Sequence, residues 1–206
     1  MTSQPIKKLL KEKSGIKLDI GCGANKHPGF VGIDYRPLKG VDIVHNLEQF
    51  PYPLKDESVL VAISSHVLEH INPHFGDVRV YPLIQLLLKK GVITTSEVRK
   101  NLGNFEDQPR FFGLMNEVWR ILQPDGEFAV VVPYATSHGM HQDPTHINFI
   151  NETTWAYFDP LEPRYDGWLY KIYKPKPWAI KSSAFSGNGN LEVVLIKRKE
   201  DRSYYA

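Results

Sequence analysis

Short apolar runs separated by turn-forming residues dominate the first third of the chain. The runs at residues 16–20, 30–33 and 41–44 are rich in β-branched side chains and have turn-forming residues at their borders, which is typical of strands. A fourth run, residues 59–63, is apolar without interruption, as expected for a strand buried on both faces of a parallel sheet. The pattern therefore predicts four strands in this part of the chain.

Helical periodicity follows the fourth strand. Residues 65–71 are predicted to form a helix directly after it, and residues 111–122 repeat apolar side chains at helical spacing. Further helices are predicted over residues 81–90, where Gly91 ends the helix, and over residues 95–102 and 152–158.

A fifth strand is predicted over residues 127–133, after a turn at residues 123–126. Strands that alternate with helices predict an α/β sandwich with a mainly parallel sheet. In such sheets ligands bind outside the carboxyl ends of the strands, so Gly21, Asp34 and residues 64–66 should converge on one cleft.

The C-terminal part of the chain is predicted to form an antiparallel pair. Two long runs, residues 168–174 and 191–197, flank a strong Ser-Gly-Asn-Gly-Asn turn signal at residues 186–190. Residues 178–182 could extend the first arm of this pair.

Two glycines, Gly21 and Gly23, directly follow the first strand, and the second strand ends on an acid, Asp34. This is the layout of a nucleotide-type cofactor site, in which glycines let the backbone approach the ligand and the carboxylate binds a ribose diol. A dinucleotide site also has a third glycine, with its acid about 20 residues further on. Here Ala24 follows Gly23, and Asp34 comes only 13 residues after Gly21. A ribose without a pyrophosphate is therefore the better fit, and a nicotinamide-dependent reductase is disfavoured.

Five segments in order carry a resemblance to a known family. They are LDIGCG (residues 18–23), PGFVGID (28–34), FPYPLKDES (50–58), SSHVLEHI (64–71) and EVWRILQPDGEF (117–128). In these segments the chain resembles the class I S-adenosylmethionine-dependent methyltransferases, in their small-molecule and glycan-type branch, similar to type 11. The resemblance covers roughly residues 16–134. It implies a Rossmann-like three-layer sandwich with a seven-stranded, mostly parallel sheet and an antiparallel last strand, and S-adenosyl-L-methionine as the cofactor.

The resemblance also implies residue roles. Asp34 would accept hydrogen bonds from both ribose hydroxyls, and the glycine turn would lie under the methionine part of the cofactor. The implied cofactor-binding set is Asp19, Gly21, Cys22, Gly23 and Asp34, with Asn46 and Leu47 at the adenine and Ser64, Ser65 and His66 near the sulfonium.

Methyl transfer from a sulfonium is an in-line displacement, in which positioning supplies much of the rate. A hydroxyl or protonated amine acceptor must also lose a proton, and histidine is a suitable base. The Asp-Pro-Thr-His motif at residues 143–146 resembles the segment that lies over the acceptor pocket in this branch. His141 and His146 are therefore the predicted catalytic residues, and the alternative is that these histidines cap and order a loop. The predicted reaction is methyl transfer to a hydroxyl or amine of a small molecule or sugar.

The sequence disfavours two DNA-directed reactions. The Asp/Asn-Pro-Pro-Tyr/Phe motif of enzymes that methylate exocyclic amino groups is missing after the fourth strand. The nucleophile for C5 methylation is missing too, because the single cysteine, Cys22, lies in the cofactor turn, where it is interpreted as a small packing residue.

The spacing of the histidines also suggests a candidate metal site. His66, His70 and His74 are spaced i, i+4, i+8, and nitrogen and oxygen ligands of this kind suit zinc. However, Pro73 should end the helix before His74, and the reaction needs no metal, so no functional metal is predicted. Glu69 is interpreted as a solvent-facing or N-terminal charge on this helix, and the alternative is that it faces the pocket. A second cluster comprises His138, His141, Asp143 and His146.

At 206 residues the chain is predicted to be a single methyltransferase domain, with a lead-in at residues 1–14 and a helical insertion at residues 72–110 that could act as a lid. Because the insertion contains several basic residues, an alternative is that the protein methylates nucleic acid and binds it through the insertion. The other interpretation is that the insertion is a solvated pair of helices. A further alternative is a catalytically silent module that keeps the cofactor fold. The basic residues are Arg79, Lys89, Lys90, Arg99, Lys100 and Arg110.

Composition is that of an ordinary soluble protein, with 42% hydrophobic and 23% charged residues. The net charge of +2 does not indicate a nucleic-acid or membrane partner, and a single cysteine excludes an internal disulfide and fits a reducing compartment. No apolar run approaches the roughly 20 residues of a membrane span, and the basic N-terminus is not followed by an apolar core. A cytoplasmic location is expected.

Overall fold

The computed structural model describes residues 16–73, 81–97 and 109–205. A single sheet in the order β3-β2-β1-β4-β5-β7-β6 organises these residues. Strands β1 to β5 run parallel to one another, and β7 is antiparallel to both β5 and β6. The predicted Rossmann-like sheet of seven strands with an antiparallel C-terminal hairpin is confirmed. The strands are β1 (Lys17–Ile20), β2 (Val31–Asp34), β3 (Ile43–Val44), β4 (Val59–Ser65), β5 (Leu122–Pro133), β6 (Trp178–Phe185) and β7 (Asn190–Lys197).

Helices pack around this sheet. The second α-helix, Arg110–Ile121 (α2), places its apolar stripe on one face of the sheet, where Leu114, Met115 and Val118 are fully buried. The periodicity of residues 111–122 had predicted this helix. The α-helices are α1 (Tyr81–Lys89), α2 (Arg110–Ile121), α3 (His138–Gln142) and α4 (Trp168–Tyr173), and 3₁₀ helices span Leu68–His70, Glu152–Tyr157 and Arg202–Tyr205.

The prediction of a helix over residues 65–71 is wrong in extent. Only the 3₁₀ turn Leu68–His70 forms, because His66 adopts a left-handed φ of 56° that no helix can include. The predicted helix at residues 152–158 is likewise a 3₁₀ helix, Glu152–Tyr157, which Asn151 caps by accepting hydrogen bonds from the backbone nitrogens of Thr153 and Thr154.

The prediction of a strand over residues 168–174 is wrong. The segment forms α4, and left-handed residues bound it at both ends, Gly167 with φ 66° and Lys174 with φ 48°. The first arm of the terminal hairpin is instead β6, which pairs with β7 from Trp178 to Phe185.

Strand β5 begins earlier than predicted. Val59 of β4 pairs with Leu122, whereas Val61 pairs with Glu127, so residues 123–126 bulge out of the ladder. The predicted turn is therefore present as a bulge within a longer strand, and Asp125 has the positive φ of 58° that such a bulge accommodates.

The predicted insertion is described in part. Helix α1 matches the prediction for residues 81–90, and residues 95–97 are helical. The lead-in at 1–14, His74 and most of the predicted helix at 95–102 lie outside the described residues. Across the described ranges, no helix combines the length and apolarity needed to cross a membrane.

Candidate active site

The glycine turn after β1 depends on the absence of side chains. Gly21 and Gly23 have φ values of +70° and +52°, which L-residues rarely adopt. A Cβ on Gly21 would also lie 2.3 Å from Cγ2 of Val67. The nitrogen of Gly21 donates to the carbonyl of Ile33 over 2.8 Å, which holds the turn against β2.

Asp34 ends β2 and faces this turn. Its Oδ2 accepts a hydrogen bond of 2.9 Å from the nitrogen of Gly23, and its Oδ1 accepts one of 2.9 Å from the nitrogen of Arg36. Asp34 is only 3% exposed. The half-exposed Arg36 side chain also donates to Oδ1, over a long 3.5 Å from its Nε. A carboxylate has about four lone-pair sites, so capacity for one further donor remains, and for a second once this arginine side chain moves aside.

Asp19 and Cys22 support the glycine turn through hydrogen bonds and packing. Oδ2 of Asp19 accepts hydrogen bonds from the backbone nitrogen of His27 (2.8 Å) and from its Nδ1 (2.9 Å), which fixes the loop that follows the glycines. Cys22 is buried beside Gly32, where a Cβ would meet Sγ at 2.6 Å. Burial, and then the charges of Asp19 and Asp34, raise the pKa of the Cys22 thiol. Cys22 therefore packs as a neutral group.

The loop after β3 lies next to the acid. The nitrogen of His45 donates to the carbonyl of Asp34 over 2.9 Å. The next residue, Asn46, is exposed, and its Oδ1 accepts from the nitrogen of Glu48 over 3.0 Å. Leu47 is buried in the main core. The two residues predicted at the adenine therefore directly follow a residue bonded to Asp34, and one of them is polar and exposed while the other is apolar and buried.

Strand β4 ends close to the same turn. Ser64 is fully buried, and its Oγ has no hydrogen-bond partner among the described residues. Ser65 follows, and then half-exposed His66 turns the chain. The amide Nδ2 of Asn190 lies 3.2 Å from His66 Nε2, so this nitrogen accepts and Nδ1 carries the proton. Nδ1 in turn lies 3.3 Å from Oε1 of Glu69.

The prediction that Glu69 is an exposed charge is wrong, because the residue is 0% exposed. Its burial comes from a distant segment: the nitrogens of Ile147 and Asn148 donate to its backbone carbonyl over 2.9 and 3.0 Å. The loop after α3 therefore folds over the 3₁₀ turn. Neither carboxylate oxygen of Glu69 has a hydrogen-bond partner among the described residues.

His146 joins the same cluster from that loop. Its side chain is 7% exposed, and its Nδ1 lies 3.1 Å from the carbonyl of Met140. Its Nε2 lies 3.9 Å from Oε1 of Glu69 and 3.8 Å from Oδ2 of Asp143. The ring of His70 packs edge-on against it, with centroids 4.6 Å apart.

Hydrogen bonds hold the Asp-Pro-Thr-His motif in shape. Oδ1 of Asp143 accepts from the Thr145 hydroxyl over 2.7 Å and from the Thr145 nitrogen over 2.8 Å. These two bonds lower the pKa of Asp143, so its carboxylate is ionised across the neutral range.

His141, the other predicted catalytic residue, lies apart from this cluster. It is exposed on α3, and its ring packs on the exposed Phe149 with centroids 5.8 Å apart. The structure thus brings His146 to Glu69 but leaves His141 facing solvent. Sequence reasoning raised a pocket-facing Glu69 only as an alternative, and it missed Asn190, whose amide lies 3.2 Å from Nε2 of His66.

Comparisons with known proteins agree with this architecture. No protein-family model matches the sequence, and a search of curated proteins gives no match. Among solved structures, a protein from Pyrococcus horikoshii is similar with a TM-score of 0.55 and 15% identity, over 95% of this chain and 87% of that one.

Two further structures are methyltransferases by name. A SAM-dependent methyltransferase from Archaeoglobus fulgidus gives a TM-score of 0.55 at 13% identity, over 93% of this chain and 90% of that one. A candidate type 11 methyltransferase from Sulfolobus solfataricus gives 0.50 at 15%, over 97% and 94%. The chain therefore has the class I methyltransferase fold.

Proposed function

We propose that this protein is a methyltransferase that uses S-adenosyl-L-methionine and acts on a hydroxyl or amine of a small molecule or sugar. The observation that carries the proposal is the joining of the glycine turn to the acid of β2 by the Gly23–Asp34 hydrogen bond. In a sheet of this order, that pair lies at the carboxyl ends of the strands, where ligands bind.

The residues present fit the cofactor. Once the half-exposed Arg36 side chain moves aside, Asp34 has capacity for the two hydroxyls of a ribose. The nearest atom to a Cβ on Gly23 is Nη2 of Arg36 at 3.6 Å, so the backbone at Gly23 is open to a close approach. Asn46 and Leu47 would border the adenine, and the unpartnered hydroxyl of Ser64 is a group that a polar ligand could satisfy. When bound, S-adenosylmethionine supplies an activated methyl group. Ser65 and His66 would border its methionine end, while Asp19 and Cys22 would act by shaping the turn.

A dinucleotide fits less well. Residues 24–30 contain no helix, so the turn is not followed by the helix N-terminus that binds a pyrophosphate in dinucleotide sites. This local structure supports a ligand with a ribose and no pyrophosphate.

The two predicted catalytic histidines have different environments. His141 is exposed on α3 and could meet an acceptor directly as a base. Both ring nitrogens of His146 already face protein atoms, at Met140 and Glu69. Within the proposal, His141 is therefore the base, and His146 acts as a positioning residue.

Label transfer tests the proposal. The protein is incubated with S-adenosylmethionine that carries a radioactive methyl group and with a fractionated cell extract, and an Asp34→Asn variant is the control. The proposal expects label in a low-mass product that the variant does not form. Label in nucleic acid would support the alternative based on the basic insertion, and cofactor binding without any labelled product would support a catalytically silent module.

A further inference from the structure

We propose that Glu69, His70 and His146, with Asp143 beside them, form a binding site for a divalent transition metal of the zinc class. Metal binding is separable from the proposed cofactor binding, because none of these residues belongs to the glycine turn or to the Asp34 end of β2, and only His146 is shared with the proposed acceptor side. If the protein transfers methyl groups but binds no metal, only the metal proposal fails. If it binds the metal but transfers no methyl group, only the proposed function fails.

The buried carboxylate of Glu69 is the first observation. A carboxylate removed from water is costly unless charge or hydrogen bonds compensate it. Glu69 is 0% exposed, and neither of its oxygens has a hydrogen-bond partner among the described residues. Its described neighbours are imidazole nitrogens of His66 and His146, at 3.3 and 3.9 Å. The protonated Nδ1 of His66 compensates Oε1 only in part, because 3.3 Å is longer than a normal hydrogen bond. A cation bound between Glu69 and His146 would supply the remaining compensation.

The tautomer of His146 is the second observation. Its Nδ1 faces the carbonyl of Met140, which only accepts, so Nδ1 carries the proton and Nε2 presents a lone pair. That lone pair faces two carboxylate oxygens, Oε1 of Glu69 at 3.9 Å and Oδ2 of Asp143 at 3.8 Å. Three such electron-rich atoms repel one another unless a proton or a metal ion lies between them, and at 3.8 and 3.9 Å they are further apart than a shared proton requires.

The distances favour a metal ion. A hydrogen bond between nitrogen and oxygen spans about 2.7–3.2 Å, which is shorter than either contact. Zinc bonds of about 2.0–2.1 Å in tetrahedral geometry place ligand atoms roughly 3.3 Å apart. Small side-chain movements from 3.8 and 3.9 Å therefore give a zinc-like ligand spacing.

His70 completes the set in the same way. The Thr145 hydroxyl donates to Oδ1 of Asp143, so it can only accept from Nδ1 of His70, which lies 3.0 Å away. This leaves Nε2 of His70 with the lone pair. One potential ligand atom from each of Glu69, His70 and His146 lies within 4.8 Å of the other two.

The outer hydrogen bonds are those that metal-binding histidines use. Such histidines donate their second ring nitrogen to a carbonyl or other acceptor, which fixes the ring and its tautomer. Met140 does this for His146, and Thr145 does it for His70. The backbone bonds from Ile147 and Asn148 to Glu69 hold the two contributing segments together without any metal.

Three protein ligands with further room are typical of zinc sites that take a water or a substrate, whereas four closed ligands are typical of structural sites. The side chain of Asp143 is 42% exposed and lies at the solvent side of the cluster. The site thus offers a position at which an acceptor oxygen could bind. The set differs from those suggested by sequence spacing, since His74 lies outside the described residues and His138 and His141 are not part of it.

Titration of the metal-free full-length protein, carrying no affinity histidines, with zinc(II) and with cobalt(II) tests the site. Calorimetry measures zinc affinity and stoichiometry, and the visible absorption of cobalt reports nitrogen and oxygen coordination. We expect a single equivalent to bind, and His70→Ala, His146→Ala or Glu69→Gln to weaken binding by at least about 100-fold, more than the loss of an outer hydrogen-bonding partner causes. Thr145→Val, which removes such a partner, should weaken it by about tenfold.

His138→Ala is the matched control, because this exposed histidine lies at the start of α3, just before the loop that contributes His146, but outside the set. Its affinity should equal that of the unmodified protein. Because His70 is exposed, its replacement should leave the fold intact, which thermal unfolding verifies. The proposal is overturned if the protein binds no stoichiometric metal, or if the His70 and His146 variants, still folded, bind it as tightly as the His138 variant does.

Discussion

The backbone nitrogen of Gly23 donates a hydrogen bond of 2.9 Å to Oδ2 of Asp34. This bond makes the turn after β1 and the acid at the end of β2 a single unit, so any ligand that approaches one meets the other. The Arg36 nitrogen holds the second oxygen in the same way. The carboxylate is therefore fixed before a ligand arrives, which lowers the entropy cost of binding.

Replacing Asp34 with Asn should weaken binding of S-adenosylhomocysteine by at least about tenfold, since a hydrogen bond to a charged group is worth about 1.5–3 kcal/mol. The amide would also place a donor against the nitrogen of Gly23 or Arg36. Isothermal calorimetry measures the affinity. Asp42→Asn is the control, because Asp42 likewise accepts a backbone hydrogen bond, from Gly32 over 2.7 Å, but lies outside the turn. An equal loss of affinity in both variants would contradict a specific part for Asp34.

Gly21→Ala should destabilise the fold by more than Gly40→Ala. Both glycines have positive φ, but nothing lies within 4 Å of a Cβ on Gly40, whereas Val67 lies 2.3 Å from one on Gly21. Backbone strain should cost each variant about 1–2 kcal/mol, and overpacking should add about 1–3 kcal/mol at Gly21. Urea unfolding measures the difference. Adding Val67→Ala to Gly21→Ala should recover the overpacking part, and no recovery would show that Val67 is not the obstacle.

Cys22 should react slowly with iodoacetamide in the native protein. Burial raises the pKa of its thiol, so at about pH 8 the thiolate fraction is smaller than in the unfolded chain, and the rate should rise only at higher pH. Mass spectrometry of the folded and urea-unfolded protein measures the two rates. S-adenosylhomocysteine should slow the native reaction further if the turn binds it. A native rate equal to the unfolded one would contradict the packing assigned to this residue.

Glu117→Gln should lower the free energy of unfolding by about 1.5–3 kcal/mol. Glu117 is 6% exposed, and its carboxylate accepts from the Tyr52 nitrogen over 2.6 Å and from Nε of Arg120 over 2.9 Å. Glu200→Gln is the isosteric control in an exposed pair with Lys176, and it should cost less than about 1 kcal/mol. Denaturant melts of the two variants, measured together, provide the comparison. Equal costs would show that burial does not strengthen the Glu117 pair.

Local patterns predicted most of the sheet, since buried parallel strands such as β4 leave continuous apolar runs between turn residues. They failed at residues 168–174, where Trp, Tyr and Ile favour a strand by composition. That segment is helical because the left-handed Gly167 and Lys174 turn the chain on either side of it, and only Leu169 and Tyr170 need burial. The backbone conformation of a single residue depends on tertiary contacts, and local composition does not predict it.

The candidate site likewise has one part that the sequence predicted and one part that it did not. The glycine turn and Asp34 are close in sequence, and their spacing alone predicted a ribose-binding layout. The hydrogen bond from Gly23 to Asp34 shows that the two lie together in the structure. Glu69 could not be placed, because a carboxylate on a short helix is usually solvated. Its burial depends on Ile147 and Asn148, nearly 80 residues further along the chain. Contacts between such distant segments follow from the completed fold.

The most direct test of the central claim is a calorimetric titration of the unmodified protein with S-adenosylhomocysteine and, in parallel, with NAD. We predict saturable binding of S-adenosylhomocysteine at a single site and no binding of NAD, because the turn offers a ribose acid without a pyrophosphate anchor. Binding of NAD, or no binding of S-adenosylhomocysteine, would contradict the account.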